Sequence, residues 1–309
     1  MHPAYSVILF TTASGAGYGL LALLGLAGFN HGLASSVAFA LTAVFIALAL
    51  ITAGLLSSTF HLGHPERAWR ALSQWRSSWL SREGVASVIT YVPALAFAAV
   101  WSGLVDAPQW IGPLGLITAV LCAVTVFTTA MIYASLKTVR AWCQPLTAPV
   151  YMAFGLATGA TLMTAIASLF GRFQYFQAIL TVAALVLVAV LKFLYWKVID
   201  SGPRSHTIEE ATGLGRIGSV SQWEVPHTAE NFIQKEMGYA VARKHAAKLR
   251  NLVFLLLASA ILLMLLSLAA PVVAILAATT ALAAAAVERW LFFAEAQHVV
   301  TLFYGAKTA

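Results

Sequence analysis

Long runs of apolar residues alternate along this chain with short polar connections. A run of about 20 apolar residues spans roughly 30 Å as a helix, which matches the hydrocarbon core of a bilayer. We count eight such runs, at about 5–28, 35–58, 84–104, 111–135, 148–170, 175–196, 251–268 and 271–298. The pattern predicts an all-α polytopic membrane protein with eight transmembrane helices.

The eight runs leave little of the chain outside the membrane. Residues 1–309 are expected to form a single integral membrane domain, because nearly every residue falls in a span or a short connection. One connection is long, residues 199–250, and we expect it to be a cytoplasmic loop within that domain. Eight spans can divide into two four-helix bundles, although the two halves show no convincing repeat in sequence.

Composition agrees with a bilayer location and limits the other classes. Hydrophobic residues make up 61% of the chain and charged residues 9%. The isoelectric point near 9.6 could fit nucleic-acid binding, but excess Lys and Arg in a membrane chain usually report topology. No basic–aromatic pattern of a nucleic-acid reader is present, so we expect no nucleic-acid partner. Two cysteines, Cys122 and Cys143, cannot hold a four-thiolate iron–sulfur cluster.

Basic residues collect on one side of this topology. Three connections on that side, with their flanks, carry Arg67, Arg70, Arg76, Arg82, Lys137, Arg140, Lys192, Lys197, Arg204, Arg216, Lys235, Arg243, Lys244, Lys248 and Arg250. The opposite side carries Arg172. Because positively charged connections stay in the cytoplasm, we expect all three connections and both termini to be cytoplasmic.

The end of span two is the first candidate site. His61 closes the apolar run, where an ionisable side chain is costly and therefore more often functional. An imidazole there can hydrogen-bond a quinone carbonyl and exchange a proton near neutral pH. The arginines and tryptophans that follow have an ordinary alternative, since such residues gather at membrane interfaces as aromatic belts and snorkelling charges.

The first and last spans also carry polar groups. Ser14 and Tyr18 belong to a polar strip on span one, which serves either helix–helix hydrogen bonding or a pocket. Span eight holds Glu288, Arg289, Glu295 and His298. Four ionisable groups in one span require a protein-lined or wet environment. Glu295 and His298 are expected near the same membrane face as His61, where they could form a proton route; a buried Arg–Glu pair that fixes packing is the alternative.

Two other motifs carry no cofactor site. Residues 213–218 spell a glycine-rich dinucleotide fingerprint, but no strand precedes them, so a turn-rich loop is expected. His61 and His298 are the only histidines at span ends, and both lie at the same edge of the membrane. We therefore expect no haem and no metal site.

The motifs resemble those of the dimethyl sulfoxide reductase anchor subunit family. The opening Met1-His-Pro-Ala-Tyr-Ser-Val-Ile, followed by Phe10-Thr-Thr-Ala-Ser-Gly-Ala-Gly-Tyr-Gly, is similar to the start of these anchors. Ser58-Thr-Phe-His61-Leu-Gly is similar to the family's Thr-x-His-Leu-Gly, and the resemblance covers essentially the whole chain. Such anchors hold a molybdenum subunit and an iron–sulfur subunit at the bacterial inner membrane and exchange electrons with quinone without haem.

The resemblance implies roles for particular residues. The quinone-associated histidine of the family falls on His61, and Ser14 and Tyr18 are expected to shape the quinone pocket. The iron–sulfur subunit is expected to dock on Arg67, Arg70, Arg76 and Arg82. Ubiquinone or menaquinone would be an exchangeable substrate, whereas the molybdenum cofactor and the iron–sulfur clusters would lie in the partners. Membrane lipid is the remaining partner.

The predicted orientation separates two branches of the family. In the dimethyl sulfoxide reductase branch the histidine-bearing face looks toward the periplasm, whereas here it carries the cytoplasmic signature. The extended motif from His61 to Arg70 and the motif from Ser77 to Gly84 look more like anchors of cytoplasmic sulfite-oxidising relatives. The resemblance therefore implies an anchor that passes electrons from sulfite to quinone and has no activity of its own toward the soluble substrate.

Three alternatives stay open at this point. The first is an anchor that runs in reverse and oxidises quinol for a dimethyl sulfoxide reductase. The second is a small-solute transporter, which would have discontinuous spans and polar groups near the bilayer midplane. The third is a purely structural anchor without a quinone site, in which only docking explains the polar residues near His61.

Overall fold

The computed structural model describes residues 3–29, 36–60, 62–201, 206–224, 241–304 and 306, with the side chains of 241–244 outside the description. Eight long helices in these ranges are apolar enough to cross a membrane, which confirms the predicted eight spans. They are α1 Tyr5–Phe29, α2 Val37–Thr59, α3 Trp79–Trp101, α4 Ile111–Ala134, α5 Thr147–Leu169, α6 Tyr175–Ser201, α7 Val241–Leu266 and α8 Ala274–Ala294.

Several helix ends differ from the expectation: α6 ends at Ser201 rather than near 196, and α7 begins at Val241 rather than near 251, because polar and charged residues continue both helices. Helix α3 begins at Trp79 rather than near residue 84, and its first turn bonds the preceding segment: the Ser81 hydroxyl donates to the Ala71 carbonyl. Helix α8 ends at Ala294 rather than near 298. There the chain turns so that the Val299 amide donates to the Thr138 carbonyl at 3.1 Å.

The helices pack as two groups of four with the same neighbours. In the first half, α1 packs against α2 and α4, and α3 packs against α4. In the second half, α5 packs against α6 and α8, and α7 packs against α8. The halves meet where α1 lies against α5, so the expected pair of four-helix bundles shares a central helix–helix contact.

Glycines allow the backbones of α1 and α5 to touch. A Cβ atom on Gly19 would overlap the carbonyl oxygen of Gly155, and one on Gly159 would overlap the Gly19 backbone. Gly155 and Gly159 are four residues apart, which is the spacing that lets membrane helices approach closely. These glycines therefore serve helix packing.

We predict that Gly19→Ala destabilises the protein by about 1–3 kcal/mol, because the added methyl group must push α1 and α5 apart. The measurement is the thermal unfolding midpoint of the detergent-solubilised protein. Gly15→Ala is the matched control, since a Cβ atom at Gly15 meets no atom within 4 Å. Equal midpoints for the two variants would contradict the assigned helix contact.

Candidate functional site

A small polar cavity lies where the two bundles meet. Helices α1, α4, α5 and α8 line it, and its volume is about 20 Å³, which is room for one water molecule. The predicted pocket residues Ser14 and Tyr18 both lie on its wall. Other polar residues of the lining include Thr129 of α4, Tyr151 of α5 and Arg289 of α8. The structure therefore brings part of span one and part of span eight to one place.

Several polar atoms on this wall have unused hydrogen-bonding capacity. Among the described residues, four buried atoms of the lining have no hydrogen-bonding partner of ordinary geometry: Thr12 Oγ1, Tyr18 OH, Tyr151 OH and Arg289 Nη1. Buried polar groups are costly unless hydrogen-bonded. A water-sized cavity lined by such groups suits a polar occupant of one or two heavy atoms.

A buried carboxylate connects to the cavity through one hydroxyl group. Glu83, in the first turns of α3, is 4% exposed. The Thr129 hydroxyl donates to Glu83 Oε1 at 2.9 Å and also lines the cavity. Glu83 was not among the residues predicted from sequence to form a site. The available signal was the helical spacing of Glu83, Ser87 and Thr90, which puts three polar side chains on one buried face.

A second buried group of charges joins α6 and α8. Lys192 Nζ lies 2.5 Å from Glu288 Oε1, and both side chains are fully buried. The Arg289 Nε atom lies 3.5 Å from the other carboxylate oxygen of Glu288. The expected Arg–Glu pair is therefore present, but Lys192 is the closer partner. Counting Lys192 with the basic connections was wrong, because it points into the bundle.

Aromatic rings cover the two cations of this group. Lys192 Nζ lies 3.8 Å from the centre of the Tyr195 ring and 4.7 Å from that of Trp196. Arg289 Cζ lies 3.4 Å from the centre of the Tyr151 ring. Cation–π contacts of desolvated cations are worth about 2 kcal/mol each. One carboxylate cannot offset the cost of burying two cations. The rings therefore offset part of the remaining cost.

Glu295 and His298 lie just beyond α8 and have separate partners. Glu295 accepts hydrogen bonds from Arg250 Nε at 2.7 Å and Trp196 Nε1 at 3.1 Å. His298 Nδ1 accepts from the Val300 amide at 3.0 Å. Partial burial holds the pKa of His298 below its ordinary value, which favours the neutral imidazole that this acceptor role needs. A proton route through both residues stays a prediction.

His61 lies outside the described residues, so its place relative to the cavity stays a prediction. Its chain neighbours Phe60 and Leu62 are exposed. At the end of α2, the Ser57 hydroxyl donates to the Ser6 carbonyl at 2.9 Å, which ties this end to the start of α1.

The predicted docking arginines follow α2 on the 3-10 helix Pro65–Gln74 and beyond. Arg67, Arg70 and Arg76 are exposed. Arg82 differs, because its guanidinium donates to the carbonyls of Trp75 and Arg76 at 3.0 and 2.7 Å and holds the segment against α3. Three of the four arginines are therefore accessible to a partner.

The same segment exposes large apolar side chains. Trp69 is 67% exposed and Trp75 is 52% exposed. Arg70 and Arg76 lie over the Trp69 and Trp75 rings, with Cζ to ring-centre distances of 5.6 and 5.4 Å. Trp and Arg dominate the binding energy of protein interfaces, but they also gather at lipid interfaces.

An apolar groove of about 360 Å³ lies beside the polar cavity, between α1, α4, α5 and α6. Tyr18, Val126 and Gly155 line both the groove and the cavity. Leu156 and Leu187 line the groove and are exposed on the outside of the bundle. A volume of this size is typical of small-molecule sites. The groove therefore runs from the lipid side to Tyr18.

Within the described part of the chain, no three His, Cys, Asp or Glu side chains come together as a metal-binding group.

Comparison with known proteins agrees with the resemblance in sequence. The family described as DMSO reductase anchor subunit (DmsC) matches residues 1–306. The chain is also 32% identical, over 333 aligned positions, to a sulfite dehydrogenase subunit of Allochromatium vinosum. That alignment covers 98% of this chain and 99% of the relative.

We predict that Lys192→Met and Glu288→Gln both destabilise the protein, and that Glu288→Gln costs more, about 3 kcal/mol or more, because it leaves two buried cations without a carboxylate whereas Lys192→Met leaves Glu288 with Arg289. The double variant is expected to lose less than the sum of the two. Unfolding of all four proteins in detergent gives the coupling energy. Strict additivity would contradict a direct interaction between the two side chains.

Proposed function

Because the chain belongs to the dimethyl sulfoxide reductase anchor subunit family, we propose that it is the quinone-reactive anchor of a three-subunit molybdenum and iron–sulfur oxidoreductase. The family identifies a membrane anchor subunit. The similarity to a subunit of a sulfite dehydrogenase supports sulfite as the electron source. In this proposal electrons pass from sulfite through the partner subunits to the quinone pool.

The observation that carries the quinone proposal is the groove that ends at Tyr18. A membrane quinone has an apolar isoprenoid tail and a ring with two carbonyl oxygens. The groove offers apolar walls reached from the lipid side, and Tyr18 at its inner end also lines the cavity where Thr129 bonds Glu83. The neighbouring cavity of about 20 Å³ is too small for a quinone ring, so we assign the ring to the end of the groove.

Quinone reduction consumes two protons for every two electrons, so the site needs proton donors. We assign this role to His61 and to Glu83, whose carboxylate is buried and bonded to Thr129. The Tyr18 hydroxyl is a donor that can orient a carbonyl oxygen. The Ser14 hydroxyl donates to the Phe10 carbonyl at 2.7 Å, so Ser14 contributes to the shape of the wall.

We assign docking of the iron–sulfur subunit to the exposed segment with Trp69, Trp75, Arg70 and Arg76. The molybdopterin subunit would bind through the iron–sulfur subunit, and both metal cofactors would belong to these partners. In this arrangement the arginine-bearing end and both termini face the cytoplasm, and the membrane is the bacterial inner membrane. The excess of basic residues at this end supports the orientation.

The alternatives have less support. An anchor that oxidises quinol would use the same groove, and the direction of electron flow depends on the partners. A transporter would have discontinuous spans, whereas the eight long helices are continuous within the described ranges.

Isolation of the tagged protein from its native membrane tests the assembly. We expect molybdenum and iron to copurify, and sulfite to drive reduction of added quinone. An Arg70→Glu, Arg76→Glu double variant should lower recovery of the iron–sulfur subunit about tenfold or more at low salt, since both side chains are exposed at the proposed contact. Lys137→Glu, in another exposed connection, is the control. Recovery of metal-free, inactive protein would refute the proposal.

The quinone site is tested in the assembled complex. Glu83→Gln and His61→Gln should each slow sulfite-driven quinone reduction by roughly 10²-fold, which is typical for loss of an acid–base group. Reduction of a soluble electron acceptor by the same complexes should be unchanged, because that reaction bypasses the anchor. Wild-type quinone kinetics in both variants would remove these residues from the site.

A further inference from the structure

The buried charges of α6 and α8 have no part in the quinone site described so far. Lys192, Glu288 and Arg289 carry two positive charges against one negative charge inside the membrane domain. Buried ion pairs contribute little net stability relative to apolar packing, and ionisable groups at membrane depth are usually functional. Their position between the polar cavity and the surface points to a specific role.

One side of this cluster faces the cavity. Arg289 holds Glu288 with its Nε atom, while its Nη1 atom lies buried beside the cavity without an ordinary partner. Across the cavity the Thr129 hydroxyl donates to Glu83. A water-sized occupant that bonds to Arg289 and Thr129 would therefore link the Glu288 cluster to the Glu83 carboxylate.

The other side of the cluster leads to the protein surface. Asp200, whose side chain is 58% exposed, accepts a hydrogen bond from Arg250 at 2.7 Å. Arg250 also bonds Glu295, whose carboxylate accepts from the Trp196 indole. Lys192 contacts the same Trp196 side chain, with its Nζ atom 4.7 Å from the ring centre. Lys192 and Glu295 are thus two neighbours of one indole ring, and Glu295 accepts from its N–H group.

We propose that the Lys192–Glu288–Arg289 cluster and the water-sized cavity form a proton path from the surface at Asp200 and Glu295 to Glu83. This inference rests on the proposed quinone function, for which it supplies the protons. It also revises the route expected from sequence, because Glu295 keeps its place at the entrance whereas Lys192 and Glu288 replace His298.

Each proton that one group of the path gives up is taken up by the next group. Glu295 and Lys192 both contact Trp196, so we place the proton exchange between them beside this ring. Lys192 then gives a proton to Glu288 across the 2.5 Å contact and recovers one from Glu295. The proton moves from Glu288 through water beside Arg289 and Thr129 to Glu83. At the quinone, two such protons and two electrons from the iron–sulfur partner convert the two carbonyl groups to hydroxyl groups.

Arg289 and the surrounding hydroxyl groups set the polarity of the path. Arg289 stays charged, since arginine does not deprotonate in proteins, so it positions Glu288 and the water and carries no proton itself. Among the described residues, the titratable or charged groups that face the path from the packed helices are Tyr18 of α1, Glu83 of α3, Tyr133 of α4, Tyr151 of α5, Lys192, Tyr195 and Asp200 of α6, Arg250 of α7, and Glu288, Arg289 and Glu295 of α8 and its end.

The test uses the complete complex with a Lys192→Gln, Glu288→Gln double variant. This change removes both titratable groups, keeps polar side chains and leaves the net charge of the cluster unchanged. We expect quinone reduction to slow roughly 10- to 100-fold with a nearly unchanged KM for quinone. The solvent deuterium isotope effect should rise, and acetic acid, a small membrane-permeant weak acid, should restore much of the rate.

Three controls separate the possible outcomes. Thr279→Val, at an exposed position of α8, should behave like the wild type. Sulfite oxidation with a soluble acceptor should be unaffected in every protein. A wild-type complex that does not reduce quinone would refute the proposed function itself, whereas a normal rate and isotope effect in the double variant would overturn only the proton path.

A slow variant that shows no change in isotope effect and no rescue by acetic acid would also overturn the path, because that result indicates a structural role. If the double variant does not assemble, Thr129→Val replaces it, since this near-isosteric change removes only the hydroxyl between cavity and Glu83. It should show the same rise in isotope effect and the same rescue, and their absence would overturn the path.

Discussion

The backbone contact between α1 and α5 is the constraint on which the other features depend. Gly19 and Gly155 leave no room for side chains where the two helices touch. Residues of both helices line the polar cavity, and residues of both helices also line the apolar groove. Gly155 lines both spaces. If α1 and α5 lay further apart, the polar cavity and the apolar groove would merge into one space.

The second constraint is the cost of charge inside a bilayer. Neither water nor polar lipid is available there to stabilise an isolated ion. The protein therefore places Lys192 and Glu288 in direct contact and covers the cations with rings of Tyr151, Tyr195 and Trp196. The arrangement concentrates the polar interior at the junction of the bundles, while Leu156 and Leu187 present an apolar exterior.

Sequence was a good guide to features that depend on length and composition. Bilayer thickness fixes the length of a span, so the eight helices were predicted with small errors at their ends. Ser14 and Tyr18 lie in one cavity lining, and their role toward quinone stays a prediction. Glu83 precedes the predicted start of span three and Lys192 was counted with the basic connections, since a position near a span end does not reveal whether a side chain points inward. That direction depends on which neighbours pack against α3 and α6.

The equal packing order of the two halves has a geometric consequence for assembly. The connections between α2 and α3 and between α6 and α7 occupy corresponding places, each after the second helix of its half. Successive spans cross a bilayer in alternating directions, so α2 and α6 end at the same face of the membrane. In the proposed assembly, a partner docked on the segment after α2 would therefore also lie at the face where α6 ends.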